Sequence, residues 1–205
     1  MTLPSQLAGR SDIWRGSELP AQVPAADSTG YPDLDAMLAG GGWPRRAVTE
    51  LLSASAGDGA LELLLPVLAR LSVSARWIAL VGPPLAPFAP GFAGRGIQPE
   101  QLLWLRPSGA AERLWALEQA LRSGACSAVL GWFDERLRRE SVRRLQLAAE
   151  AGDALGFLLL PPEMAGQASA AALRLQVRRQ DAGLAVEILK RRGGWAQPAR
   201  YLSCR

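Results

Sequence analysis

Five short apolar runs punctuate the chain: Val48–Leu52, Arg76–Val81, Gln101–Leu105, Ala125–Trp132 and Gly156–Leu160. Largely apolar runs of this length, without regular apolar/polar alternation, are what strands buried on both faces of a parallel sheet require. The stretches between them carry helical periodicity. Ala60 to about Leu71 predicts a helix with Pro66 inside it, where the missing N–H and the ring should produce a kink or a restart. In Pro107–Gly124, Ala110, Leu114, Leu117 and Leu121 share one face and Gly124 stops the helix. Asp134–Glu150 turns Leu137, Ser141, Leu145, Ala148 and Ala149 towards the sheet. Upstream, Thr29-Gly30 precedes a short helix with Leu34, Met37 and Leu38 on one side, closed by Gly40-Gly41-Gly42 and Trp43-Pro44. Gly82–Gly96, rich in proline and glycine, predicts a long irregular crossing. Leu173–Arg178 and Leu184–Lys190 predict a hairpin around Gln180-Asp181-Ala182-Gly183. The fold class expected is α/β, a mostly parallel twisted sheet covered by helices.

Val48–Leu65 has the strand, small-residue turn and helix layout of a P-loop, in which backbone N–H groups and a helix N-terminus wrap phosphates. A working loop ends G-K-[ST], the lysine neutralising phosphates and the hydroxyl holding Mg²⁺. Here the loop reads Ala54, Gly57, Asp58, Gly59, Ala60, Leu61, so both groups are missing and a carboxylate faces the phosphate position. The strand that should end in a Walker B acid ends in Leu130-Gly131-Trp132, and Asp134 and Glu135 stand where they would open a helix. The expectation is a pseudo-ATPase: not an enzyme, with no catalytic residue, cofactor or metal. No histidine is present anywhere, which removes imidazole catalysis and imidazole metal ligation. Cys126 and Cys204 are far apart, and Cys126 falls in a buried run, so neither a disulfide framework nor a thiol nucleophile is indicated. The N-terminus lacks the apolar core of a secretion signal and no run reaches the length of a membrane span, so a cytoplasmic address is expected.

The net charge of +4 is almost wholly arginine, Lys190 being the one lysine. Arg136, Arg139 and Arg143 recur at helical spacing, either as a solvated face or as a strip for phosphates and acidic partners. Lys190, Arg191 and Arg192, followed by two glycines, read equally as a phosphate contact or an exposed strand end. Trp14 lies in a Pro/Ser/Ala-rich arm and could anchor to this chain or to a neighbour; Trp195 opens a patternless tail. These eight residues are the candidate DNA or partner contacts. The division expected is an arm over residues 1–27, a core over 28–194 and a tail over 195–205.

Ser28-Thr29-Gly30, a helix containing Leu34-Asp35, the glycine cluster and Pro44 resemble the entry to the core of RecA, RadA and KaiC-type ATPases. Gln101-Leu102-Leu103, a proline turn, the Glu112–Leu121 helix, Arg122–Ala125 and an apolar strand resemble the RecA segment that ends in Walker B. With Gly40–Pro44 followed by Thr49–Leu52, the chain resembles the ImuA family from about Trp14 to Arg205. That resemblance implies a RecA-like P-loop NTPase core with degenerate Walker motifs. It further implies a non-catalytic adaptor of SOS-induced translesion DNA synthesis, binding an ImuB-type inactive polymerase homologue, with RecA and DNA as further partners. ImuA-like chains are related to SulA, and the alternative it implies is a SulA-like cell-division inhibitor acting on FtsZ.

Overall fold

The structure is a computed structural model that describes residues 25–55 and 58–203; Trp14, Gly57 and Cys204 lie outside them. Ten strands and five helices follow in chain order: β1 (Ala26–Asp27), α1 (Pro32–Met37), β2 (Trp43–Pro44), β3 (Ala47–Leu52), α2 (Ala60–Ser72), β4 (Trp77–Val81), α3 (Ala89–Ala93), β5 (Leu102–Leu105), α4 (Ala110–Arg122), β6 (Cys126–Trp132), α5 (Arg139–Gly152), β7 (Leu155–Leu160), β8 (Leu173–Gln180), β9 (Gly183–Arg191) and β10 (Gln197–Ser203). β1 and β2 form a small antiparallel pair. The main sheet has eight strands in the order β10-β9-β8-β3-β7-β6-β4-β5.

The apolar runs become the central strands because each must bury both faces. Val48 and Leu52 of β3 pack with Leu117, Leu121, Leu145 and Ala149 under α4 and α5. Leu51 of the same strand packs the other way, with Leu34, Trp43, Leu64 and Phe157. The period-2 geometry of a strand converts one continuous run into two cores. Trp43 meets Phe157 edge to face with ring centroids 5.4 Å apart, a quadrupole-favoured geometry that fixes the corner beneath α1.

Three local expectations change. The helix after β6 begins at Arg139, so Asp134 does not cap it and Arg136 lies before it rather than on its face. Pro66 sits in the second turn of α2 without ending it. The stretch read as a tail supplies β10, which pairs antiparallel with β9. The larger correction concerns fold class. β8 runs parallel to β3 and antiparallel to β9, so the sheet is mixed, with an antiparallel β8-β9-β10 ribbon at one end. The P-loop part of the expectation has a physical counter-argument in the same region. After β3 the Ala54 N–H already donates to Asp58 Oδ2 at 3.0 Å, and Gly59 packs against Leu184, where a Cβ would come within 2.1 Å of Cδ2. A carboxylate therefore takes one of the backbone donors that a phosphate cradle would need.

Candidate functional site

The loops leaving the carboxyl ends of β3, β4, β5, β6 and β7 meet around a cleft of about 530 Å³. Open parallel sheets bind their ligands at this edge, because loops from neighbouring strands splay apart there. Ser53–Ser55, Gly82–Ala86, Arg106, Arg113, Trp132–Asp134 and Pro161 line it. A second, more apolar groove of about 420 Å³ shares the wall Pro83–Ala86 and Trp132, and continues over Leu61, Leu65, Phe88, Phe92 and Arg95.

The proline-rich crossing after β4 explains the apolar groove. Consecutive prolines at 83 and 84 supply no N–H for a strand and hold the chain extended. That leaves Leu85 at 72% and Phe88 at 70% exposure, beside the one-turn helix α3. Trp104 is exposed on β5, the outermost strand at that end of the sheet, with the Arg106 guanidinium 5.0 Å over its ring. Exposed large apolar residues in one place, rimmed by charge, mark an interaction surface.

Arg113 projects from the first turn of α4 into the polar half. Its Nη1 donates to the Trp132 carbonyl at 2.9 Å, and the guanidinium stands 5.9 Å from the Phe133 ring centroid. Asp134, fully exposed, lies 3.8 Å from Nη1, an ion pair in solvent that contributes little. Nε is buried with no hydrogen-bond acceptor, a state that costs about 1–3 kcal/mol for a polar group. Gly82 makes room for this arginine: its φ is +61° and a Cβ there would sit 2.7 Å from Arg113 Nε.

A buried charge network underlies the connection from β7 to β8. Glu50 of β3 is bonded by Arg174 Nε and by Ser169 Oγ. Arg174 also donates to the carbonyls of Met164, Ala165 and Gln167. Lys190 donates to the carbonyls of Ser169 (2.7 Å) and Ala171 (2.8 Å). Burial pushes the Lys190 ammonium below its ordinary value, with Glu50 pulling it back up. Elsewhere burial pushes the Cys126 thiol up, against weaker lowering by Ser123 and Arg76.

The sequence candidates do not converge on the cleft. Arg136 and Arg139 border a narrow crevice over the Glu50–Arg174 pair, and Arg143 is exposed further along α5. Lys190 is engaged with carbonyls, Arg191 bonds the carbonyls of Met37 and Trp195, and the Arg192 N–H donates to the Ala172 carbonyl. Trp195 is exposed beyond β9. Of the degenerate loop, Ala54 and Ala60 reach the cleft wall. Sequence reasoning passed over Arg106, Arg113, Leu85 and Phe88. Arg113 was legible as a charge four residues before Leu117 and eight before Leu121, on the buried stripe of its helix.

Among the described residues no group of three or more His, Cys, Asp or Glu could hold a metal, and no helix is long and apolar enough to cross a membrane. A family model described as "Cell division inhibitor SulA" matches residues 47–156, more than half of the chain. The SulA of Edwardsiella piscicida is 36% identical over 130 residues, covering 63% of this chain and 76% of the relative. That of Photorhabdus laumondii is 33% identical over 113 residues, covering 55% and 63%. A solved SulA from Pseudomonas aeruginosa is 33% identical with TM-score 0.46, covering 55% of this chain and 97% of that one. The match spans 63% of the Photorhabdus protein and 64% of the Pectobacterium carotovorum one, so less than two thirds of several relatives is represented here.

These matches overturn the ImuA resemblance and what it implied. The relatives are division inhibitors, so the translesion-synthesis adaptor is corrected, and with it the ImuB-type polymerase, RecA and DNA as partners. The RecA-like P-loop NTPase assignment is corrected likewise, to a SulA-like mixed sheet with a few helices. The resemblance rested on strand and helix patterning, which burial in a covered parallel sheet produces in any such chain, while the phosphate-gripping residues that would mark a RecA-type loop are absent here. A matched segment of 110 residues, Ala47 to Gly156, places the chain in the SulA family, described as cell division inhibitors.

Proposed function

We propose that the chain inhibits cell division by binding, capturing FtsZ, the target that the SulA resemblance implies, on the carboxyl edge of its sheet. One observation carries this reading: the segment that matches the family model, residues 47–156, is the segment that builds the exposed apolar groove. Leu85, Phe88, Trp104 and Trp132 all fall inside it. Apolar side chains held this far out of the core by a proline-rich crossing are disfavoured for a chain with no partner, and each fully buried on binding contributes about 1.5–3 kcal/mol.

The activity is proposed to be non-catalytic. Ala60 and Leu61 stand where a lysine and a hydroxyl would grip a triphosphate, and Asp58 already accepts the Ala54 N–H. The free energy of association does the work, by sequestering the partner.

GTP-driven assembly of purified FtsZ, followed by sedimentation, tests the proposal. The full chain should reduce pelleted FtsZ in proportion to its concentration, and overproduction should make cells filament. Phe88→Ser with Leu85→Ser should raise the concentration required by roughly tenfold or more at unchanged circular dichroism. Undiminished FtsZ assembly in a molar excess of folded protein would refute the reading.

A further inference from the structure

We propose that the polar half of the cleft is an acceptor site for a carboxylate, an aspartate or glutamate side chain presented by an acidic segment of the partner protein, with Arg113 as the recognising group. The proposal rests on the partner-capture reading of this edge and deepens it, by giving the partner segment a chemistry.

The geometry is that of a guanidinium held by the protein at two of its nitrogens while the side chain, 22% exposed, lines the cleft. Arg113 Nη1 is committed to the Trp132 carbonyl at 2.9 Å, which fixes the plane of the group. Nε is packed against Gly82, without an acceptor and out of contact with water, so a ligand reaches the guanidinium only through its Nη hydrogens. The remaining Nη1 and Nη2 hydrogens form the end-on fork that matches the two oxygens of a carboxylate. Glycine at position 82, with φ +61°, lets the backbone pack against Nε, where a Cβ would come within 2.7 Å and displace the arginine.

Charge complementarity selects the occupant. The cleft is lined by Arg106 and Arg113 against the single carboxylate of Asp134, and the adjoining apolar groove adds Arg95 with no acid. The joined surface therefore carries an excess of positive charge between low-dielectric walls of Trp104, Trp132 and Phe133, where a pairing is worth more than in open water. An acidic side chain flanked by apolar residues satisfies both halves at once: the apolar residues cover Leu85 and Phe88 while the carboxylate reaches the fork. Arg106, stacked on Trp104, stands at the rim, where its part is to steer the acid inward.

The test has two arms. In the first, FtsZ binding to the full chain is measured for wild type, Arg113→Ala, Arg113→Lys and Arg106→Ala across a salt series. Arg113→Ala should weaken binding by roughly tenfold or more and flatten the salt dependence, Arg113→Lys should recover little of it because an ammonium has no fork, and Arg106→Ala should act mainly on the association rate. Wild-type affinity in a folded Arg113→Ala, with loss in Phe88→Ser, overturns the carboxylate site and leaves the function standing. In the second arm the probe is N-acetylglutamate amide, titrated against arginine Nε–H resonances of the free protein, with Arg113→Lys identifying the signal. A saturable shift of the Arg113 signal supports the site whether or not FtsZ is the partner. Absence of any saturable shift, or displacement of the probe by an oligothymidylate that binds more tightly at the same arginines, overturns it.

Discussion

Replacing Glu50 by glutamine strikes the most buried charge among the described residues. Glu50 sits at 2% exposure in the middle of β3, paired with Arg174 at 5%. Removing one member of a buried ion pair typically costs about 3–5 kcal/mol, because the survivor is left charged and dry. Here Arg174 retains three carbonyl acceptors, those of Met164, Ala165 and Gln167, so the lower end of the range applies, about 3 kcal/mol. For a chain of this size, 1 kcal/mol moves the melting temperature by about 2–4 °C, so Glu50→Gln should lower Tm by roughly 6–12 °C. The double substitution Glu50→Leu with Arg174→Met removes both charges and fills the space with apolar atoms, and should be more stable than either single variant. Urea unfolding of the parent, Glu50→Leu, Arg174→Met and the double variant at neutral pH, followed by tryptophan fluorescence and far-UV circular dichroism with coincident transitions, gives the four corners of the cycle. Because Arg174 ties the carbonyls of residues 164, 165 and 167 to the sheet, Glu50→Gln should also speed amide exchange across that connection. A Tm loss below about 2 °C in Glu50→Gln, or a double variant as unstable as the sum of the singles, would refute the reasoning.

Gly59→Ala should destabilise the chain by about 1–3 kcal/mol, since the backbone there has φ +94° and the new Cβ would meet buried Leu184; thermal unfolding reads this directly. Restoring the missing motif residues with Ala60→Lys and Leu61→Ser should confer no Mg²⁺-dependent release of phosphate from ATP, because the Asp58 carboxylate still holds the Ala54 N–H; turnover above the parent would refute this. Cys126 should alkylate far more slowly in the native protein than in urea at pH 8, read site by site by mass spectrometry, since burial raises its thiol pKa. The sign of the linked pH dependence follows: the unfolded thiol ionises first, near its ordinary value of about 8.5, so this contribution to stability is intact below that pH. It is lost as pH rises through the folded-state value, and Cys126→Ala should blunt the loss.

The strands and helices were legible because burial leaves a local signature. Gly156–Leu160 carries apolar residues at consecutive positions, and a strand puts consecutive side chains on opposite faces, so a sheet covered on both sides follows from the string alone. Leu117 and Leu121 at helical spacing place α4 on that sheet for the same reason. Tail residues 197–203 were not legible as β10, because their strand character comes from main-chain pairing with β9 at an edge where side chains remain largely exposed. Residues 134–138 were read as helix from periodicity, yet the chain stays irregular to Arg138, where the Phe133 N–H is taken by the Leu159 carbonyl and Asp134 faces Arg113.

The site divides along the same line. From sequence, the missing lysine and hydroxyl after Gly59 and the absence of histidine are fixed, since they are matters of which atoms the chain possesses. Which charges meet is not, because partners such as Glu50 and Arg174, or Arg113 and the Trp132 carbonyl, are separated in sequence and joined by strand order and crossover. Tertiary structure alone decided that the arginines expected at the surface would be spent on carbonyls or left along α5. It also decided that Arg113, an unremarked charge on a buried helical stripe, would stand at the sheet edge beside Leu85 and Phe88.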